Sequence, residues 1–230
     1  MKGLYTVSLV ATEPLKKPPL TQAELIVTAK AFCEEGHCYQ DLYGVTDGKA
    51  VGTFIEHKFR DRLEANYATL IGNSAAGIDL PAVSTDIKVT SIRQPQSSCP
   101  FSSARQKVYG LGYHLLVFVY EKDDDPKTKT CTLKFVRCAF VDKRRTADYQ
   151  TTRGILDILQ RNGNHDDVVA FLSDRNLPGD EIVYNALATE ILKTPPELGY
   201  LTISNALQWR LQYRRIVALK ERVEGIMTIV

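Results

Sequence analysis

From Tyr113 to Tyr120 the chain runs Tyr-His-Leu-Leu-Val-Phe-Val-Tyr, an apolar stretch almost without polar alternation. A strand wetted on one side alternates polar and apolar residues, so a continuous run of this length belongs at the centre of a sheet covered on both faces. That requirement excludes a simple helical bundle and an open one-sided sheet. The neighbouring segments supply the rest. Thr85 to Ser91 alternates and predicts a half-buried strand, and Thr130 to Val141 predicts another after the polar turn Glu121–Lys127.

Helical patterns lie on both sides of this β-rich centre. Thr21 with Glu24 forms a capping box ahead of Leu25, Ile26, Ala29 and Phe32. A second helix is predicted from about Val51 to Thr69, turning Phe54, Ile55, Phe59, Leu63 and Tyr67 inward. Its His57, Lys58, Arg60, Asp61 and Arg62 fall mainly on the wet side. A third runs from Ser102 to Tyr109 and stops at Gly110. Beyond Val141, helices are expected at Ile155–Gln160, Asp166–Leu172 and Glu181–Leu192, with a last long one from Ser204 to about Val223. The expected architecture is an α/β core with N-terminal helices over residues 1–145 and a helical C-terminal region over 146–230.

Composition narrows the function classes. The 230 residues carry 29 Lys and Arg against 27 Asp and Glu, a formal +2 that excludes a polycation and an acidic solvating chain. Local basic stripes remain compatible with nucleic acid. Five cysteines without a secretory signal or a spanning segment predict reduced thiols in a cytoplasmic protein. Cys33, His37 and Cys38 lack the second ligand pair that structural zinc requires. Gly-x-Ser-x-Gly, a phosphate-loop Gly-Lys-Thr and Gly-x-Gly-x-x-Gly are all absent.

The chemistry concentrates in Gly77-Ile-Asp79-Leu-Pro-Ala-Val-Ser-Thr-Asp86-Ile87-Lys88, which follows the small-residue loop Gly72–Gly77. Two short strands joined at Pro81 bring Asp79 and Asp86 within reach of one divalent ion. Alternation puts Asp86 and Lys88 on one face, while Ile87 points into the core and its backbone carbonyl still reaches the ion. Hard oxygen ligands suit Mg²⁺, which neutralises a scissile phosphate and acidifies bound water; a lysine beside it orients that water.

Asp-x6-Asp-x-Lys in this setting resembles the PD-(D/E)xK nuclease family. It is similar above all to the branch of the methyl-directed mismatch-repair nicking endonuclease and its restriction-enzyme relatives. Ile78 stands where proline is usual, and Asp86 replaces the commoner glutamate. The resemblance spans about residues 48 to 141. It implies a restriction-endonuclease-like core with a central mixed sheet flanked by helices, and a helix glutamate at the metal, matched by Glu56 in Gly52-Thr-Phe-Ile-Glu56. Glu64, eight residues on, shares a related helix face and stays an alternative. The helix and strand after the motif imply Gln106 or Lys107 at the phosphate.

Two further segments offer DNA contacts. The polar loop after the Asp-x-Lys strand carries Arg93, Gln94, Gln96, Ser97 and Ser98, donors and acceptors suited to phosphates and base edges. Between Leu201 and Gly225, five basic residues face two acids, with Arg210, Arg214 and Arg215 on the predicted last helix, the recognition element of a helix-turn-helix-like unit.

The combined expectation is a Mg²⁺-dependent type II restriction endonuclease that cleaves double-stranded DNA at a short specific sequence. Cutting both strands of a palindrome needs two sites, hence a homodimer, and a DNA methyltransferase is the expected genetic partner. A nicking or junction-resolving repair nuclease and a non-catalytic DNA-binding regulator are the alternatives.

Overall fold

A computed structural model describes residues 17–68, 78–98, 103–204 and 209–230. Two N-terminal elements cover one face of the molecule. Helix α1 (Gln22–Glu34) starts at the expected box: the Glu24 N–H donates to the Thr21 hydroxyl at 3.3 Å, and the Thr21 N–H donates to the Glu24 carboxylate at 2.8 Å. After the short strand β1 (His37–Tyr39), helix α2 (Gly48–Asn66) is capped by Asp47. Its buried stripe is Val51, Ile55, Phe59 and Leu63, at the spacing the sequence predicts. Each such side chain contributes about 1.5–3 kcal/mol when fully buried.

Strands β2 (Thr85–Ser91) and β3 (Gln96–Ser98) follow, then helix α3 (Ala104–Tyr109) and the long pair β4 (His114–Asp125) and β5 (Thr130–Val141). The polar segment expected as a turn continues β4 as far as Asp125. Helices α4 (Tyr149–Gln160), α5 (His165–Asp174) and α6 (Glu181–Lys193) match three of the helices expected after residue 146. The fourth does not form among the described residues. That stretch becomes β6 (Thr202–Ser204), β7 (Arg210–Gln212), one helical turn α7 (Arg214–Val217) and β8 (Ile226–Thr228).

The central sheet is mixed, in the order β1-β5-β4-β2, with β8 also paired to β5. β2 lies parallel to β4, and the other pairings are antiparallel. Leu115 to Val119 of β4 are fully buried, as a strand covered on both faces must be. Leu116 and Phe118 face α1 and α2, where Phe59 meets Phe32 and Phe118 edge-on at 5.2 and 5.0 Å.

Leu115, Val117 and Val119 face the opposite way, onto a second sheet of three antiparallel strands, β3-β7-β6. That sheet explains the missing helix. Leu211 and Ile203 point into the shared core, and β7 finds its hydrogen-bonding partner in β3. Tertiary pairing overrides local helical spacing. The loop expected after β2 is for the same reason a strand over Gln96–Ser98. The third core cluster joins Ala104 and Val108 to α4, α5 and α6.

Candidate active site

The site forms at β2, the edge strand of the central sheet. Register sets its chemistry: Asp86 lies beside Leu115 and Lys88 beside Val117, while Ile87 lies beside Leu116 and packs into the layer under α2. Asp86 and Lys88 therefore share a face, and the Lys88 ammonium meets the Asp86 carboxylate at 2.7 Å.

Asp79 reaches the same place by a route other than the expected strand. It occupies a bend before Leu80, whose N–H and C=O pair with Thr85 at 2.9 and 3.1 Å, and a single 3-10 turn, Pro81–Val83, closes the loop. The turn exits through Ser84 at φ 47°. This closure lets the Asp79 carboxylate accept the Ile87 N–H at 2.8 Å, so the Asp79 side chain is anchored to the backbone between Asp86 and Lys88.

Asp86 is buried, and its carboxyl is hydrogen-bonded to that of Asp79. Burial first, and that contact second, push its pKa up to about 7 despite the opposing Lys88 charge. Helix α2 brings Glu56 over the same edge. Gly52 permits the approach: a Cβ there would lie 3.2 Å from the Val89 carbonyl oxygen. The Glu56 carboxyl is also raised, by burial first and then by the field of Asp79, with Arg60 and Lys88 opposing. Glu64 lies two helical turns further along α2, and its backbone carbonyl accepts a hydrogen bond from Lys17; Glu56 is the glutamate that feels Asp79 and Lys88.

Arg60, expected on the wet side of α2, joins the group instead. Its guanidinium lies 3.4 Å from Glu56 and 3.9 Å from Asp79. The signal was present in the sequence as a Glu-Arg pair four residues apart, which shares a helix face. Among the described residues no three His, Cys, Asp or Glu side chains stand close enough to hold an ion as they are placed. The donor chemistry nevertheless fits a hard divalent cation at Asp79 and Asp86: two carboxyls abut, and burial drives one of them towards neutrality even with the Lys88 ammonium 2.7 Å away. Glu56 would complete the set where the Arg60 guanidinium gives way.

The expected DNA contacts divide. Arg93, Gln94 and Ser98 are exposed, and Gln96 is half-buried on β3. Ser97 turns inward, and its hydroxyl is hydrogen-bonded to that of Tyr213 at 2.6 Å, which removes it from the surface set. Gln106 is half-buried; Lys107 is buried, 5.4 Å above the Trp209 ring, at a polar cavity rather than beside Asp86. Arg210 lies on β7, and Arg214 is exposed at the start of α7. Arg215 stacks on the Tyr149 ring at 3.5 Å. With α7 only one turn long, the helix-turn-helix expectation is replaced by the small sheet. His37, weighed as a metal ligand, is buried with both ring nitrogens engaged, by the Phe32 carbonyl and the Tyr39 hydroxyl. Gly72 to Gly77 and Cys99 to Phe101 lie outside the described residues.

A family profile described as Type II restriction enzyme NspV matches residues 19–228. This chain belongs to the NspV family of type II restriction enzymes. A curated relative, "Type II restriction enzyme NspV" from Nostoc sp. (strain ATCC 29411 / PCC 7524), is 60% identical over 188 residues, covering 82% of this chain and 86% of the relative. No solved structure matches the chain. Membership of the NspV family makes this chain a site-specific deoxyribonuclease, of a type that generally uses a divalent metal. Among the described residues no helix is long and apolar enough to cross a membrane.

Proposed function

We propose that Asp79, Asp86, Glu56 and Lys88 form the cutting centre of this restriction enzyme, and that Mg²⁺ is its cation. The observation that carries the reading is the convergence at one sheet edge of Asp79, held by the Ile87 N–H at 2.8 Å, with Asp86, paired to Lys88 at 2.7 Å. When bound, the cation supplies charge neutralisation at the scissile phosphate and an acidified water.

The residues do the rest. Asp79 and Asp86 hold the ion through hard oxygens, with the Ile87 backbone carbonyl as a further donor. Lys88, fixed by Asp86, orients the attacking water and stabilises negative charge on the phosphate oxygens. Glu56 would add an oxygen ligand from the helix, and Arg60, 3.4 Å away, balances its charge. Surface contacts to double-stranded DNA come from Arg93, Gln94, Gln96, Ser98, Arg210 and Arg214. Cleavage of both strands calls for two copies of this centre, so the working form is a homodimer. A cognate DNA methyltransferase and a cytoplasmic setting belong to the same reading, since an unprotected genome would be cut.

The test is plasmid digestion with purified protein, with and without Mg²⁺, followed by sequencing of the ends. Asp86→Ala and Lys88→Ala are each expected to lower the cleavage rate by at least 10²- to 10³-fold, the scale of losing one preorganised charge-stabilising group. Either variant cutting at the parental rate would remove its residue from the centre.

A further inference from the structure

The small sheet β3-β7-β6 has two unlike faces. Register pairs Ser97 with Leu211 and Leu211 with Ile203, and this row faces the core. The next row on one side is Gln96, Gln212 and Thr202; on the other it is Ser98, Arg210 and Ser204. Directly paired residues of antiparallel strands point the same way, and residues two apart share a face. The outer face of the sheet is therefore made of two amides, three hydroxyls and one guanidinium, all half-buried or exposed, without a carboxylate or an apolar side chain.

This face is tied to the cutting strand. Thr90 lies two residues beyond Lys88 on the same side of β2, and its hydroxyl accepts the Gln96 N–H and donates to the Gln96 carbonyl, both at 3.0 Å. The reading edge of β3 thus sits about 7 Å along the strand from the catalytic lysine. At the β3 end, Gln94, Gln96, Gln212 and Arg214 line a small cleft. At the β6 end, Lys107, Gln150, Arg175, Thr202 and Ser204, with Asp148 and Ile203, line a cavity of about 300 Å³.

Two cationic side chains, Lys107 and Arg175, line that cavity. Its one carboxylate, Asp148, is fully engaged: one oxygen accepts the Ile203 N–H, and the other accepts the Thr151 N–H and hydroxyl. Among the described residues the buried Nε of Arg175 finds no hydrogen-bond acceptor; its guanidinium donates to the Gln150 amide oxygen at 3.4 Å and lies 5.7 Å over the Phe171 ring.

We propose that the outer face of the small sheet lies against the base edges of duplex DNA, with Gln212 a specificity-determining residue and Arg175 the anchor for a backbone phosphate. The inference rests on the reading of the chain as a site-specific nuclease and assigns the surface that makes it specific. Dimensions agree: three strands span about 10 Å, and the major groove is about 12 Å wide. The chemistry agrees as well. Amide side chains pair bidentately with adenine, and guanidinium with guanine, while a cationic rim answers the phosphates.

The experiment measures fluorescence anisotropy with Ca²⁺ in place of Mg²⁺. Its probes are a duplex carrying the site found by end sequencing and a duplex of equal length lacking it. Gln212→Leu is expected to lower the preference for the site-bearing duplex about ten- to a hundredfold and leave binding to the other unchanged. Thr202→Val, a near-isosteric change in the same row, should act in the same direction and stands in if Gln212→Leu fails to fold. Arg175→Gln should weaken both duplexes alike and reduce the slope of log affinity against log salt by about 0.9. A Gln212→Leu protein with parental melting that keeps its preference, or loses affinity for both duplexes equally, overturns the assignment. Asp86→Ala separates the two readings: if it still cuts, the cutting centre is misplaced, while the reading face is judged by the preference ratio alone.

Discussion

At the scale of single residues, Asp86 carries an unfavourable burden that a bound cation would relieve. Its carboxyl is buried against Asp79, and its pKa rises from an ordinary carboxylate value to about 7. The native state then keeps a proton that the unfolded chain has already released from about pH 4 upwards. Stability from this group is present below about pH 4 and is lost as pH rises through about 7. In EDTA, the protein is expected to melt at a lower temperature at pH 8 than at pH 6, and Asp86→Asn to flatten that difference. Calorimetric melting across this range checks it, and an unchanged slope in Asp86→Asn would place the titrating group elsewhere. That Asp86 and Lys88 share a face and Ile87 turns into the core was legible in the sequence, because a strand with period 2 fixes which side chains share a face; the bend that brings Asp79 to them was not. The inward turn of Ser97 was not, since its partner Tyr213 lies 116 residues away.

At the scale of elements, the tether between β2 and β3 couples cutting to reading. Thr90→Val keeps the side-chain shape but removes the hydroxyl that bridges the Gln96 N–H and carbonyl, a net loss of about 0.5–1.5 kcal/mol per hydrogen bond, since the Gln96 N–H still reaches the Gln94 carbonyl at 2.8 Å. Urea unfolding should show this as a lower midpoint with an unchanged slope, and specificity should fall more than the cleavage rate. Elements with strong local signals matched their predictions: β2 and β5 over their whole lengths, and α1 from its capping box. The last helix failed because two periods overlap there: Leu211 and Tyr213 alternate as in a strand, while Tyr213, Ile216 and Val217 share a helical face. Only pairing with β3 decides between them. The segment after β2 read as a loop for the same reason: three residues of strand have too little pattern to stand out.

For the whole molecule, the central sheet divides the labour. Helices α1 and α2 cover one side and lend Glu56 and Arg60 to the sheet edge; the small sheet covers the other and presents its polar face outward. A ligand that binds only the folded state stabilises it by mass action, about 2.7 kcal/mol at a hundred times its dissociation constant. For a protein of this size each kcal/mol moves the midpoint by about 2–4 °C. Saturating Mg²⁺ is therefore expected to raise the melting temperature by about 5–10 °C, and Asp79→Ala together with Asp86→Ala to abolish the shift. A double variant that still responds would mean that the ion sits elsewhere.

The two jobs are held together by contacts of very different reach. Asp79 is bound to Ile87 within eight residues, whereas β3 and β7 meet only after the chain has travelled 116 residues, as the Ser97–Tyr213 bond records. The strands of the small sheet are also three residues each, against seven in β2 and twelve in β4, so fewer ladder hydrogen bonds hold it and it is the first to yield when solvent or heat weakens the fold. Under mild stress the enzyme should lose fidelity before it loses its blade, and stray cuts at near-match sequences would announce that loosening.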